Sequence, residues 1–308
     1  MSENRYGPSC AAFVTVLCLV WLDSCMCVCE CFVPSSDPAA PLPPLPPQFQ
    51  VPTWGLLVKT WTEAGINQLV TGPVVAFYVY PIFTYFGLTS LVAPIPAFLP
   101  MAKSFLIASV FNEVGFYCTH RLVHSPMLYA KIHKQHHTYS GTIGFAAEYA
   151  HPIEQIFSNQ LPTIGGILFF GAHPLVFYVW LFTRLQQTYE GHSGYCFYDT
   201  WLYKLGLTNA DNAAYHDFHH SGNRGNFGAL YLDWAFGTYD AWVDMGGTPG
   251  YLEQSRLLRE KQGTQAGGGA AVGKMEIPDE GDDEGDALPS DSTQPRRRSK
   301  RLSAKKNA

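Results

Sequence analysis

Residues 104–137 read SFLIASVFNEVGFYCTHRLVHSPMLYAKIHKQHH, and this stretch decides the fold. Residues 104–118 spell a mostly apolar helix that runs directly into His120. Two histidine clusters follow, His120-Arg-Leu-Val-His124 and His133-Lys-Gln-His136-His137. A third, His216-Asp-Phe-His219-His220, repeats the second spacing farther along the chain. On a helix, positions i, i+3 and i+4 share one face, so each cluster directs two or three imidazoles at one point. Neutral imidazole is a ligand for iron, copper, zinc or nickel, and its second ring nitrogen is left to bond a supporting group. Eight such side chains are too many for one ion, whereas two ions with about four ligands each fit the count. All eleven histidines fall between positions 120 and 220. Ionisable groups crowded at the ends of apolar helices are costly, so their clustering implies a shared function.

The rest of the chain suggests where these clusters reside. Charged residues make up 15% of the 308 positions, against ~25% in ordinary soluble domains. Twenty-one of the 45 lie in residues 251–308, so the preceding body is poor in charge, as a membrane-embedded chain would be. Apolar stretches at 69–99 (with prolines at 73, 81, 94 and 96), 104–118, 156–171 and 173–189 read as spans. The expectation is an all-α integral membrane protein, with about four transmembrane helices in two hairpins and a cytosolic histidine-rich helical cap. The expected units are an apolar, Cys-rich segment 1–33, a Pro-rich linker 34–50, the membrane-embedded metal-binding domain 51–246, and a charged tail 247–308 too poor in apolar residues to bury a core. Six of eight cysteines lie in the first 31 residues without the spacing of a metal or redox pair. The composition argues against a disulfide-built secreted domain. No basic, aromatic-interleaved stripe suggests a nucleic-acid partner.

The chain ends Lys305-Lys306-Asn307-Ala308, similar to the dilysine signal that retrieves membrane proteins to the endoplasmic reticulum. That ending and the basic tail predict a multi-pass endoplasmic reticulum protein with a cytosolic C-terminus. Four spans then place the N-terminus on the cytosolic side as well.

The three clusters among apolar spans resemble the fatty acid hydroxylase/sterol desaturase superfamily. The neighbourhoods Glu148-Tyr-Ala-His151-Pro, Glu190-Gly-His192-Ser-Gly-Tyr195, His216-Asp-Phe-His219-His220 and Phe236-Gly-Thr238 resemble its C-4 methylsterol monooxygenase branch. The likeness covers residues 100–242. It implies a four-span protein whose cap holds two non-haem iron ions. It also implies use of O2, with electrons passing from NAD(P)H through cytochrome b5 or a reductase to oxidise a sterol. Carried over position by position, His120, His124, His133, His136, His137, His216, His219 and His220 match the three boxes as metal ligands, and His192 matches a ninth. His151 is open between ligand, supporting group and lid residue. One departure is Tyr215, where the sterol branch often has a histidine before its last box.

Carboxylates are expected as supports, since no Glu-x-x-His spacing on paired helices, as in the soluble di-iron bundles, occurs: Glu148-Tyr-Ala-His151 stands alone. Asp217 points away if its neighbouring histidines point inward, which suits a group that orients a histidine or caps a helix. Glu113, inside an apolar helix, needs a partner within the site; Glu148, Glu154 and Glu190 are further candidates. Alternatives stay open: a fatty-acyl or side-chain sterol hydroxylase, a sterol desaturase, a non-catalytic relative, or, in another class, a zinc-binding membrane transporter or hydrolase. A transporter would place its ligands within the spans, and a zinc hydrolase needs three.

Overall fold

A computed structural model describes residues 52–86, 93–139, 141–197, 201–206, 208–209 and 211–265. The expected segments 1–33 and 34–50 and the dilysine ending lie outside these residues. The longer helices are α1 (Trp54–Ile66), α2 (Gly72–Tyr85), α3 (Phe98–Val123), α4 (Leu161–Phe170), α5 (Pro174–His192), α6 (Asn212–Gly222) and α7 (Gly247–Gln265). Two wide π turns interrupt the regular winding. Asn67–Thr71 joins α1 to α2, and Gln155–Gln160 leads into α4.

The most extensive pairing is α3 against α4. It is close because α4 carries a glycine pair. A Cβ on Gly166 would stand 2.6 Å from the Ala108 Cα, and one on Gly165 would stand 2.2 Å from the Phe111 ring. Ala108, Ile167, Ala172, Val176 and Trp180 fill the resulting core. Trp180 meets Phe105 edge-on (5.5 Å between centroids) and donates its indole N–H to Thr163 O at 2.7 Å. This satisfies the indole's one polar group while the ring is buried. The turn into α5 is set by His173, whose Nδ1 accepts the Leu175 N–H (3.1 Å), with Pro174 at the first helical position. His173 is therefore a capping residue.

A second core lies under α6, where Cys196, Ala213, Ala214, Tyr215, Phe218, Trp242 and Tyr251 are buried together. Tyr251 and the buried Thr248 and Ser255 belong to α7. The boundary expected at residue 246 therefore moves. Residues 247–265 are helical, and Tyr251 anchors the helix, whose charged residues (Glu253, Arg256) are exposed. Composition averaged over the tail hid this single buried aromatic.

The four apolar stretches expected as spans all contribute helix, so the fold is mostly helical as expected. None of the described helices is both long and apolar enough to cross a membrane. Helix α3 has the length, 26 residues, but includes Lys103, Glu113 and Arg121; α4 is apolar but only ten residues long.

Gly166→Ala should overpack the α3–α4 crossing and cost about 1–3 kcal/mol. Gly55→Ala, where a Cβ meets nothing within 4 Å, should leave stability unchanged or slightly raised. Denaturant unfolding of the two variants beside the parent checks this, and an unshifted midpoint for Gly166→Ala would contradict the close crossing.

Candidate metal centre

Nine histidines converge from four elements. The end of α3 supplies His120 and His124, and the short 3-10 segment His133–Thr138 supplies His133, His136 and His137. The end of α5 supplies His192, and α6 supplies His216, His219 and His220. They form two groups in which the potential ligand nitrogens lie within 4.8 Å of one another. One group is His120, His124, His133, His137 and His219; the other is His136, His192, His216 and His220. The groups adjoin, since His137 of the first stacks on His220 of the second (4.7 Å, 27°).

The outward nitrogens show what the inward ones require. His120 Nδ1 donates to Phe227 O (2.6 Å), His192 Nδ1 to Thr188 O (2.8 Å), His219 Nδ1 to Gly225 O (2.7 Å) and His220 Nδ1 to Tyr139 O (3.0 Å). A carbonyl only accepts, so each of these rings carries its proton on Nδ1 and a bare lone pair on Nε2. Those Nε2 atoms face other imidazole Nε2 atoms. His120 and His133 are 3.1 Å apart, His124 and His219 3.2 Å, His192 and His216 2.9 Å, and His216 and His220 3.1 Å. Inward-facing lone pairs at such distances favour a cation between them. Burial, reinforced by the neighbouring imidazoles, keeps the rings neutral. It is the main cause that pushes His120 and His192 down to about 3 and His136 to about 4. Neutral, desolvated and pre-oriented imidazoles are the form a transition metal binds, and the residues present fit such a group.

The supports are specific. Glu154 is buried, and its Oε1 lies 2.8 Å from His133 Nδ1. Burial pushes its carboxyl well above the usual range and the His133 imidazole well below its own. A cation at the other ring nitrogen would supply the charge that favours the carboxylate form of Glu154. The loop after α6 presents Gly225 O and Phe227 O to His219 and His120. Asp233 holds it by accepting from Phe227 N (2.9 Å), Gly228 N (3.0 Å) and Thr238 Oγ1 (2.7 Å). Gly225 has φ 53°, and a Cβ there would stand 2.4 Å from Thr238 O, so both conformation and space call for glycine. Asp233 was not singled out from sequence. The Phe236-Gly-Thr238 motif was its only trace.

The other expected residues lie outside the two groups. His151 caps the turn bearing Glu154, its Nδ1 accepting the Ile153 N–H at 3.2 Å. Asp217 touches no histidine. It accepts from Thr142 N and Oγ1 (both 2.8 Å) and from Tyr251 OH (2.6 Å), tying α6 to the 142 loop and to α7. Its partners lie on the 142 loop and α7, so it fixes the helix that bears the histidines and not a ring. Glu113 lines the cavity described below, with Arg184 as its charged neighbour. Glu148 accepts from Gln68 and Tyr189, and Glu190 from Asn209 N. Tyr215 packs edge-on against Trp242 (5.4 Å), so the position that departs from the sterol branch offers no imidazole here.

A cavity of about 610 Å³ opens on the histidines. His120, His133, His136, His192 and His216 form one wall, and Val75, Val79, Ile164, Phe177 and Leu181 contribute an apolar lining. Its size falls in the range of small-molecule sites, roughly 300–1,000 Å³.

The model of the Fatty acid hydroxylase family matches residues 105–238, which contain all nine histidines. Methylsterol monooxygenase 2-2 of Arabidopsis thaliana is 34% identical over 164 residues, covering 52% of this chain and 60% of that protein. A very-long-chain aldehyde decarbonylase of Oryza sativa subsp. indica is 35% identical over the same length, with the same coverage. A Dictyostelium discoideum protein provisionally named a methylsterol monooxygenase is 34% identical over 186 residues, covering 58% of this chain and 68% of its own length. The chain thus spans about 60% of the length of the first relatives it matches. No solved structure matches it.

Glu154→Leu strips His133 of its support and should weaken metal binding about 10–100-fold while the chain stays folded. Competition against a graded chelator reads this, and unchanged affinity would remove Glu154 from the site. Because the folded histidines titrate below the unfolded value, the unfolded chain binds more protons as pH falls. Stability of the metal-free protein should therefore be fully present above about pH 6.5 and decline as pH drops toward 4. Thermal unfolding across that range checks the sign, and a midpoint that rises on acidification would contradict it.

Proposed function

We propose, for a chain that belongs to the fatty acid hydroxylase family, that its nine imidazoles hold two non-haem iron ions and that it oxidises a C–H bond of a sterol at a C-4 methyl group. The observation that carries this reading is the opening of both imidazole groups onto one largely apolar cavity. Bound iron supplies oxygen activation and one-electron chemistry that no side chain possesses. The chain's own residues do the rest. Backbone carbonyls and Glu154 fix the rings, the Asp233 loop holds the carbonyls in place, and the apolar wall receives the lipid and excludes water. O2 is the co-substrate in this reading, and electrons come from NAD(P)H through cytochrome b5 or a reductase.

The proposal includes a four-span arrangement in the endoplasmic reticulum membrane, with the histidine cap and C-terminus in the cytosol. Exposed apolar side chains such as Leu69, Phe77, Tyr78, Phe98, Leu99 and Leu106 support a lipid-facing surface on α2, α3 and the π turn before α2. The rice relative's name favours a second reading, a long-chain aldehyde in the same cavity.

The test is sterol mass spectrometry on membranes that lack their own C-4 methylsterol oxidase, with and without this chain. 4,4-Dimethylsterols should be consumed, and His136→Ala or His219→Ala should abolish consumption. Folded, iron-loaded protein that leaves the sterols untouched but consumes a long-chain aldehyde would replace the first reading with the second.

A further inference from the structure

The cavity contains polar side chains that the metal centre does not use. Asn67 and Ser158 are each 2% exposed and both line it. Asn67 Nδ2 donates to Ala150 O (3.0 Å), which fixes the amide and leaves Oδ1 without a protein partner. Ser158 Oγ has no partner among the described residues, and neither does the buried Oε1 of Gln160, a third residue of the lining. Buried polar atoms are almost always paired, so three orphans on the lining of one cavity call for a ligand. All three residues belong to the two wide turns, Asn67 to the first and Ser158 and Gln160 to the second. Such π turns recur at functional sites because the extra residue re-aims side chains away from the regular helical face.

The donor–acceptor character specifies the ligand. Two amide oxygens and one hydroxyl form an uncharged set dominated by acceptors. A carboxylate or phosphate brings only acceptors, and an ammonium group calls for an anion. An alcohol answers two of the three atoms, donating its O–H to one amide oxygen and accepting from the Ser158 hydroxyl. Ser158 also follows Glu154 by four residues on the same helical stretch, and Glu154 holds His133. A hydroxyl anchored there is held at a fixed remove from the histidine wall.

We infer that Asn67, Ser158 and Gln160 form a subsite for the hydroxyl group of the lipid substrate, which positions the oxidised carbon relative to the metal centre. The inference rests on the reading of the cavity as a lipid-oxidation site and narrows its substrate to a hydroxylated lipid. A simple long-chain aldehyde offers no such donor.

The test compares equilibrium binding of two pairs of radiolabelled lipids to the full chain loaded with iron. The first pair is a 4,4-dimethylsterol and its 3-O-methyl ether; the second is a long-chain alcohol and its methyl ether. The free sterol should bind about tenfold more tightly than its ether. That preference should fall to about twofold or less in Ser158→Ala combined with Gln160→Met, with iron content and unfolding midpoint unchanged. The ratio in the parent protein is informative even if the double variant does not fold, and Ser158→Ala alone is the milder variant. Equal binding of sterol and ether by the parent, or a preference that survives in the folded double variant, would overturn the subsite while leaving the sterol reading intact. Discrimination within the alcohol pair, with neither sterol bound, would support the subsite and overturn the sterol reading. Binding of no lipid would overturn both.

Discussion

The structure depends on the hydrogen bonds that backbone carbonyls accept from the outer nitrogens of the histidines. Phe227 O, Thr188 O, Gly225 O and Tyr139 O each fix one ring's tautomer and direct its lone pair inward. Carbonyl acceptors orient the rings without adding the buried charge a carboxylate would, while burial keeps the rings neutral. Glu154 is the exception, and its raised carboxyl pKa in the metal-free chain reflects that cost. Much of the surrounding architecture serves to place these carbonyls. The 223–228 loop exists in its strained form, with Asn223, Gly225 and Asn226 all at positive φ, because Asp233 and Thr238 hold it. Tyr139 is positioned in turn through its hydroxyl, 2.7 Å from Thr60 on α1.

A coherent division of labour follows. Helices α3, α5 and α6 and the short segment His133–Thr138 deliver the histidines, and the glycine-mediated crossing of α3 and α4 sets the scaffold that α3 needs. Helix α7 and the 142 loop clamp α6 from behind through Asp217. The cavity brings the histidines and apolar walls onto one space, as the proposed lipid oxidation requires. The family relationship agrees with the site, since the matched span, residues 105–238, runs from α3 through the loop that Asp233 closes at Thr238.

The sequence made the clustering of the histidines legible because helical spacing is a strong constraint. His120/His124 and the two HxxHH clusters can point together in few ways, and the resemblance added His192. The supports were less legible because they act through the main chain. No pattern reveals that Phe227 or Gly225 offers a carbonyl, and Asp233 bonds backbone N–H groups of residues near it in sequence. His151 illustrates the converse, since its motif leaves ligation open and it caps the turn that Pro152 begins. Residues 247–265, expected within the charged tail, are helical because one buried tyrosine, Tyr251, outweighs a polar average once a core is available to receive it. The apolar stretches read as spans carry exposed apolar side chains, whereas length and apolarity do not coincide in any one described helix.

The central claim is that two imidazole groups bind two metal ions. Elemental analysis of the purified full chain after anaerobic reconstitution with ferrous iron tests it most directly, with Mössbauer spectroscopy on the same sample. The account predicts two irons per chain in nitrogen-rich environments, with His219→Ala depleting the five-histidine group and His192→Ala the four-histidine group. One iron per chain, or a single zinc that ferrous iron does not displace, would contradict it.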